Sequence, residues 1–92
     1  MQALAEASED EGIRAYMKEH MREVHAYVAS VGRKAQELGG IDSERNIEAE
    51  AWIFISLGLL SMADRVLDGV MLDEWPAIRA ARLRWLTGLQ TD

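Results

Sequence analysis

The chain is 92 residues long, which limits it to a single small domain, and its 16 acidic against 10 basic side chains give a formal charge of −6. This acidic balance argues against a nucleic-acid surface, which needs clustered Lys and Arg to neutralise phosphates. The absence of cysteine excludes disulfide frameworks, thiolate metal sites and cysteine nucleophiles.

A long helix is predicted to begin at residues 8–11, which read SEDE. This run has the form of a capping box, in which Ser8 bonds the amide of Glu11 and the Glu11 carboxylate returns to Ser8. Residues 3–7 look like the end of a preceding helix. The amino terminus has neither the basic flank nor the apolar core of a signal peptide, so we expect a cytoplasmic protein.

The long helix carries apolar residues at a 4-3-4-3-4-3 spacing, which is typical of a seam that packs against near-parallel helices. The seam comprises Met17, Met21, Val24, Val28, Val31, Ala35 and Leu38. Gly39 is the natural left-handed residue after the helix. Some 30 residues of helix are roughly 45 Å long, whereas a compact globule of this chain length is about 32 Å across. The helix should therefore overhang its own domain.

Residues 51–63 contain no charged side chain and are predicted to lie in a second helix. Asn46 suits its N-cap, because Glu48 and Glu50 then occupy the positive first turn, and Ser43 is a competing start. The run is apolar on all sides, well beyond the ~100° stripe of a surface helix, yet shorter than the ~20 residues that cross a membrane. We therefore expect no membrane contact, with one face of the helix packed on its own subunit and the other on a second chain.

Gly69 ends this second helix, and the last helix is predicted to open at residues 73–76, which read DEWP, because proline is tolerated in a first turn. It should run to about Gly88. Its apolar stripe comprises Trp75, Ile78, Ala81, Trp85, Leu86 and Leu89. The predicted fold is all-α, a single domain over residues 1–92 in which a long helix is followed by two C-terminal helices.

This layout resembles the C-terminal regulatory domain of TetR/AcrR-family transcriptional repressors. The resemblance rests on the long helix with its glycine break, on residues 41–52 leading into the apolar helix, on the central Gly58, and on the arginine-rich last helix that closes at Trp85 and Leu86. It implies that the last two helices of each subunit form a four-helix dimer interface and that the long helix borders an effector pocket. It also implies that DNA is bound only through an N-terminal helix-turn-helix domain, which is absent from this chain. The function implied is the dimerisation and small-molecule effector-sensing part of a transcriptional regulator.

A homodimer is also expected from the apolar surface of the second helix. One seam of that helix, expected to face the long helix, comprises Trp52, Ile55, Leu59, Met62 and Val66. The side chains left on the far side, with flanking residues of the last helix, form the predicted dimer face: Ile53, Phe54, Leu57, Gly58, Leu60, Ser61, Ile78, Trp85 and Leu89. Burying one Leu, Ile or Phe is worth about 1.5 to 3 kcal/mol, so four on each subunit could offset an association cost of roughly 4 to 15 kcal/mol. Arg79, Arg82 or Arg84 could meet an acidic rim at Asp64 and Asp68.

A ligand site is predicted beside the long helix. Tyr16, His20 and Tyr27 project within ~40° of one another, and Trp52 begins the facing helix. Aromatic surface with a few polar tips suits an apolar or aromatic small-molecule effector. The alternative is that these amphipathic side chains lie at the edge of a packed face.

The remaining polar residues point neither to catalysis nor to a cofactor. His20 and His25 are ~140° apart on a helix and lack the Glu-x-x-His partner of bundle di-metal sites, so no metal is expected. Glu48 and Glu50 point ~160° apart and suit the helix dipole better than an acid–base pair. We therefore expect a protein that is not an enzyme. The alternative to the regulator is a free-standing helical protein–protein interaction module.

Overall fold

The computed structural model of the chain describes residues 5–6, 8–71 and 73–88, and the long elements there are three helices. They are α1 (Glu11–Glu37), α2 (Ile47–Val66) and α3 (Trp75–Thr87). The described residues contain no strand. The predicted all-α fold, a long helix followed by two C-terminal helices, is confirmed.

The start of α1 differs from the prediction, because Asp10 and not Ser8 is its N-cap. The Asp10 carboxylate oxygen Oδ1 accepts the N–H groups of Gly12 at 2.8 Å and Ile13 at 3.1 Å. Ser8 instead donates its hydroxyl to the carbonyl of Ala5. An aspartate is as good an N-cap as a serine and also places a negative charge at the positive end of the helix, so it displaces the capping box.

The other helix ends lie where the sequence predicts them. Asn46 caps α2, since its Oδ1 accepts the N–H of Ala49 at 3.2 Å. Gly39 after α1, Gly69 after α2 and Gly88 after α3 all have positive φ angles, as left-handed residues after a helix do.

The contact between α1 and α2 contains the small apolar core. Its buried members are Ala29 of α1 with Ile47 and Ala51 of α2. Gly32 lets the backbones approach, because a Cβ atom on it would lie only 3.1 Å from Cγ2 of Ile47. The two helices therefore meet closely through small residues near the start of α2.

The second half of α2 does not lie on α1, contrary to the prediction that its whole seam would. Met62 is 53% exposed and Val66 is 81% exposed. A Cβ atom on Gly58 would meet nothing within 4 Å. The close contact lies at the first turns of α2, and Leu59, Met62 and Val66 of the predicted seam are exposed.

Carboxylates of α2 hold α3 alongside it in the antiparallel direction. Near the start of α2, Glu50 pairs with Arg82 and accepts the indole N–H of Trp85 at 2.6 Å. Near its end, the buried Asp64 accepts the indole N–H of Trp75 at 3.1 Å. The α2–α3 pair is therefore connected by one indole–carboxylate hydrogen bond at each of its two ends.

The loop between α1 and α2 holds the carboxyl end of α3. The N–H of Asp42 donates to the carbonyl of Leu86 at 2.8 Å, and Nε of Arg45 donates to the carbonyl of Trp85 at 2.8 Å. The Arg45 guanidinium also lies 3.7 Å above the centroid of the Trp85 ring. Two N–H donors, one of them from the cationic Arg45, therefore satisfy carbonyl groups at the negative end of α3.

The molecule is flat and open. Its extents are 47 × 31 × 14 Å, and its radius of gyration is 15.8 Å, against about 12 Å for a compact domain of this length. No helix of the described residues is long and apolar enough to cross a membrane. Among the described apolar residues only Ala29, Ile47 and Ala51 are buried, so the fold leaves many large apolar side chains exposed.

Candidate functional site

A cleft of about 350 Å³ lies between α1, α2, the loop that joins them and the end of α3. It is partly open to solvent. Its walls are almost entirely apolar, and the only ionisable groups among them are Tyr27 and Glu50. The lining residues are Tyr27, Val28, Val31, Gly32, Ala35, Ile41, Ile47, Glu50, Ala51, Phe54 and Leu86.

The carboxylate of Glu50 is committed to partners of the same chain. Its side chain is only 11% exposed and is paired with the guanidinium of Arg82. Its second oxygen accepts the indole N–H of Trp85. The cleft therefore presents no unpaired charge to an occupant.

The predicted ligand residues are not brought together in this cleft. Tyr27 lines it, whereas Tyr16 and His20 stack on each other with centroids 6.3 Å apart, one turn apart on α1. Trp52 stacks on His25 with a centroid distance of 4.1 Å. Because Tyr16 precedes Tyr27 by three turns of α1, an axial distance of roughly 16 Å separates them. A ligand at Tyr16, His20 and Trp52 stays a prediction, and Tyr27 alone of the four belongs to the cleft.

His25 and Glu48 join α1 to α2. Nε2 of His25 lies 2.8 Å from the carbonyl oxygen of Glu48, and the His25 side chain is mostly buried. The Glu48 carboxylate also forms an ion pair with Arg33 of α1. These residues therefore position the helices that form the cleft, a role that the helix-dipole interpretation of Glu48 did not include.

The residues of the predicted dimer face have accessible surface available for a contact. Ile53, Phe54 and Leu60 are exposed on α2, and Trp85 is exposed on α3. Four more are described: Gly58 is exposed, and Leu57, Ser61 and Ile78 are half-buried. Leu89 lies outside the described residues. The dimer interface itself stays a prediction.

Of the two carboxylates expected at the acidic rim, Asp64 has its partners within the chain. Asp64 bonds the indole of Trp75 and also accepts the N–H of Met71 at 2.8 Å, and Arg82 pairs with Glu50. Sequence reasoning did not predict that Asp64 and Glu50 connect α2 to α3, because their tryptophan partners lie 11 and 35 residues away along the chain.

The described residues contain no cluster of three or more metal-ligating side chains. The site therefore consists of an apolar cleft next to an uncovered apolar face, and Phe54 belongs to both. Comparison of the chain with known protein families, with curated protein sequences and with solved structures found no match.

Proposed function

We propose that this chain is the dimerisation and small-molecule effector-sensing domain of a transcriptional regulator of the TetR/AcrR type, and that it does not itself bind DNA. The proposal draws on the resemblance in helix order and junctions. It also draws on the flat arrangement of the three helices, which leaves an apolar cleft and an apolar face uncovered on one molecule.

One observation carries the dimerisation part, the exposed apolar surface on α2 and α3. Ile53, Phe54, Leu60 and Trp85 are all exposed, although a single chain of this size gains stability mainly by burying such side chains. The exposed surface totals 7,075 Å², which is about 1,700 Å² more than a compact monomer of this mass exposes. A standard interface covers about 800 Å² on each partner. A second copy would supply that cover, and a two-fold contact lets one face serve both copies.

The experiment compares two charged substitutions on opposite sides of α2. Leu60→Glu places a carboxylate on the predicted dimer face, and Met62→Glu places one about 160° away around the same helix. Both side chains are exposed in the single chain, so neither substitution buries a charge within the subunit. In sedimentation at low micromolar concentration, we expect the unaltered chain and Met62→Glu to have twice the chain mass and Leu60→Glu to have the chain mass, because a dimer would bury its charge without a partner.

A monomeric unaltered chain, or a Leu60→Glu variant that remains dimeric, would contradict the proposed interface. The regulator part has a separate test in the coding sequence upstream of Met1. We expect that sequence to encode a basic helix-turn-helix domain, and an unrelated gene there would contradict the proposal.

The second candidate is a free-standing helical interaction module, and the exposed seam formed by Met62 and Val66 favours it. This seam lies on the side of α2 opposite Leu60, so a single two-fold contact at the dimer face would leave it exposed. A stable complex with a different protein that Met62→Glu disrupts and Leu60→Glu leaves intact would favour the second candidate over the first.

A further inference from the structure

We propose that the cleft between α1 and α2 binds an uncharged, mainly apolar small molecule. This inference rests on the proposed effector-sensing function and names the site and the chemical class of the ligand. The walls are formed by aliphatic side chains such as Val28, Val31 and Ile47. Two further lining residues, Tyr27 and Phe54, are aromatic.

The charge of the ligand follows from Glu50. This carboxylate already has Arg82 and the indole of Trp85 as partners, and its side chain is nearly buried. A cationic ligand would therefore compete with a paired arginine, and an anionic ligand would face the carboxylate itself. Desolvating an unpaired ligand charge is costly, so an uncharged molecule binds best.

The size and polarity of the cleft favour a small molecule. Its volume of about 350 Å³ is at the lower end of the range for ligand sites and holds about a dozen waters at roughly 30 Å³ each. Apolar walls offer those waters few hydrogen-bond partners, so an apolar molecule gains free energy by displacing them.

Two aromatic side chains border the opening. Tyr27 of α1 is 70% exposed and Phe54 of α2 is 65% exposed, although both line the cleft. They therefore lie at its rim, where their rings can close over an occupant. The Tyr27 hydroxyl can donate to or accept from one polar atom at the outer end of the ligand.

The test uses two matched fluorescent probes, uncharged N-phenyl-1-naphthylamine and anionic 1-anilinonaphthalene-8-sulfonate, with the full chain. We expect the uncharged probe to saturate at one site per chain and the sulfonate to bind at least about tenfold more weakly. Val31→Trp fills the cleft with a large ring, and Val66→Trp makes the same change at an exposed position far along α2. Val31→Trp should weaken the uncharged probe at least about tenfold, and Val66→Trp should leave its affinity within about twofold.

Methyl chemical shifts of the unaltered chain locate the probe even if Val31→Trp does not fold. We expect shifts at Val28, Val31 and Ile47, with Leu60 unchanged. The proposal is overturned if the uncharged probe does not bind, if the shifts occur at Leu60 and not in the cleft, or if both tryptophan variants bind equally. It is also overturned if probe affinity falls as protein concentration rises, because a partner side chain then fills the cleft. If the chain is dimeric and the uncharged probe does not bind in the cleft, this inference alone is refuted. If the chain is monomeric and the probe binds in the cleft, the proposed dimerisation alone is refuted.

Discussion

At the scale of single residues, the stability of the helix pair α2 and α3 depends on two carboxylates. Glu50 and Asp64 are fourteen residues apart on α2, so both point from nearly the same face, and each accepts the indole N–H of a tryptophan on α3. Asp64 is only 5% exposed, and all of its hydrogen-bonding partners lie after α2 in the chain. An acceptor that is buried with two donors cannot be lost without leaving those donors unsatisfied.

We expect Asp64→Ala to lower the free energy of unfolding by about 2 kcal/mol, because it leaves the N–H groups of Met71 and Trp75 without their acceptor. Asp73→Ala, at an exposed position of the same connection, should change it by less than about 0.5 kcal/mol. Urea unfolding of both variants at one protein concentration measures the difference. Equal effects of the two substitutions would show that the Asp64 bonds contribute no net stability.

At the scale of elements, α2 is a helix whose surroundings change along its length. Its first turns are packed on α1 through Ile47 and Ala51, whereas Gly58 in its middle has open space around it. Glycine is the poorest helix former apart from proline. Gly58 therefore weakens the isolated helix. Its compensating advantage would be that a second helix can approach closely where there is no side chain.

Gly58→Ala should therefore stabilise the folded monomer and weaken the dimer. In the monomeric Leu60→Glu background we expect a gain of about 0.8 kcal/mol in the free energy of unfolding, since helix propensity improves and no neighbour lies within 4 Å of the new methyl group. In the otherwise unaltered chain we expect weaker dimerisation in sedimentation equilibrium, because the methyl group separates the crossing helices. Unchanged or tighter dimerisation would show that no helix crosses at Gly58.

At the scale of the whole molecule, the described part of the chain is a flat array of three helices in which three apolar residues are buried, so it has little core of its own. Domains are usually built from two packed layers that share a core. We therefore expect the proposed dimer contact to supply much of the stability of this chain, and its unfolding to be linked to association.

We expect the urea midpoint of the unaltered chain to rise with protein concentration. Each tenfold increase should add about 1.4 kcal/mol to the free energy of unfolding of the dimer. The Leu60→Glu variant serves as the control, and its midpoint should not depend on concentration. A midpoint of the unaltered chain that stays constant over a hundredfold range would mean that the single chain is stable without a partner.

The sequence by itself determined the type and ends of the three long helices in the described part of the chain, because helix starts and stops are local. Asn46 bonds an amide three residues away, and Gly39 and Gly69 adopt left-handed angles that most other residues avoid. The one local error, at Ser8, arose because Asp10 was an equally good cap two residues later. The sequence also predicted that α2 is apolar on all sides, since this property depends only on helical periodicity.

The tertiary structure alone decided which faces meet. The small residues Ala29 and Gly32 set where α1 approaches α2, and helical periodicity cannot show that the contact ends before Met62. It also decided that Tyr27 and Phe54 border one cleft while Tyr16 stacks elsewhere on α1. The partners of Glu50 lie more than thirty residues away, and a contact over that distance depends on how the chain folds back rather than on any local pattern.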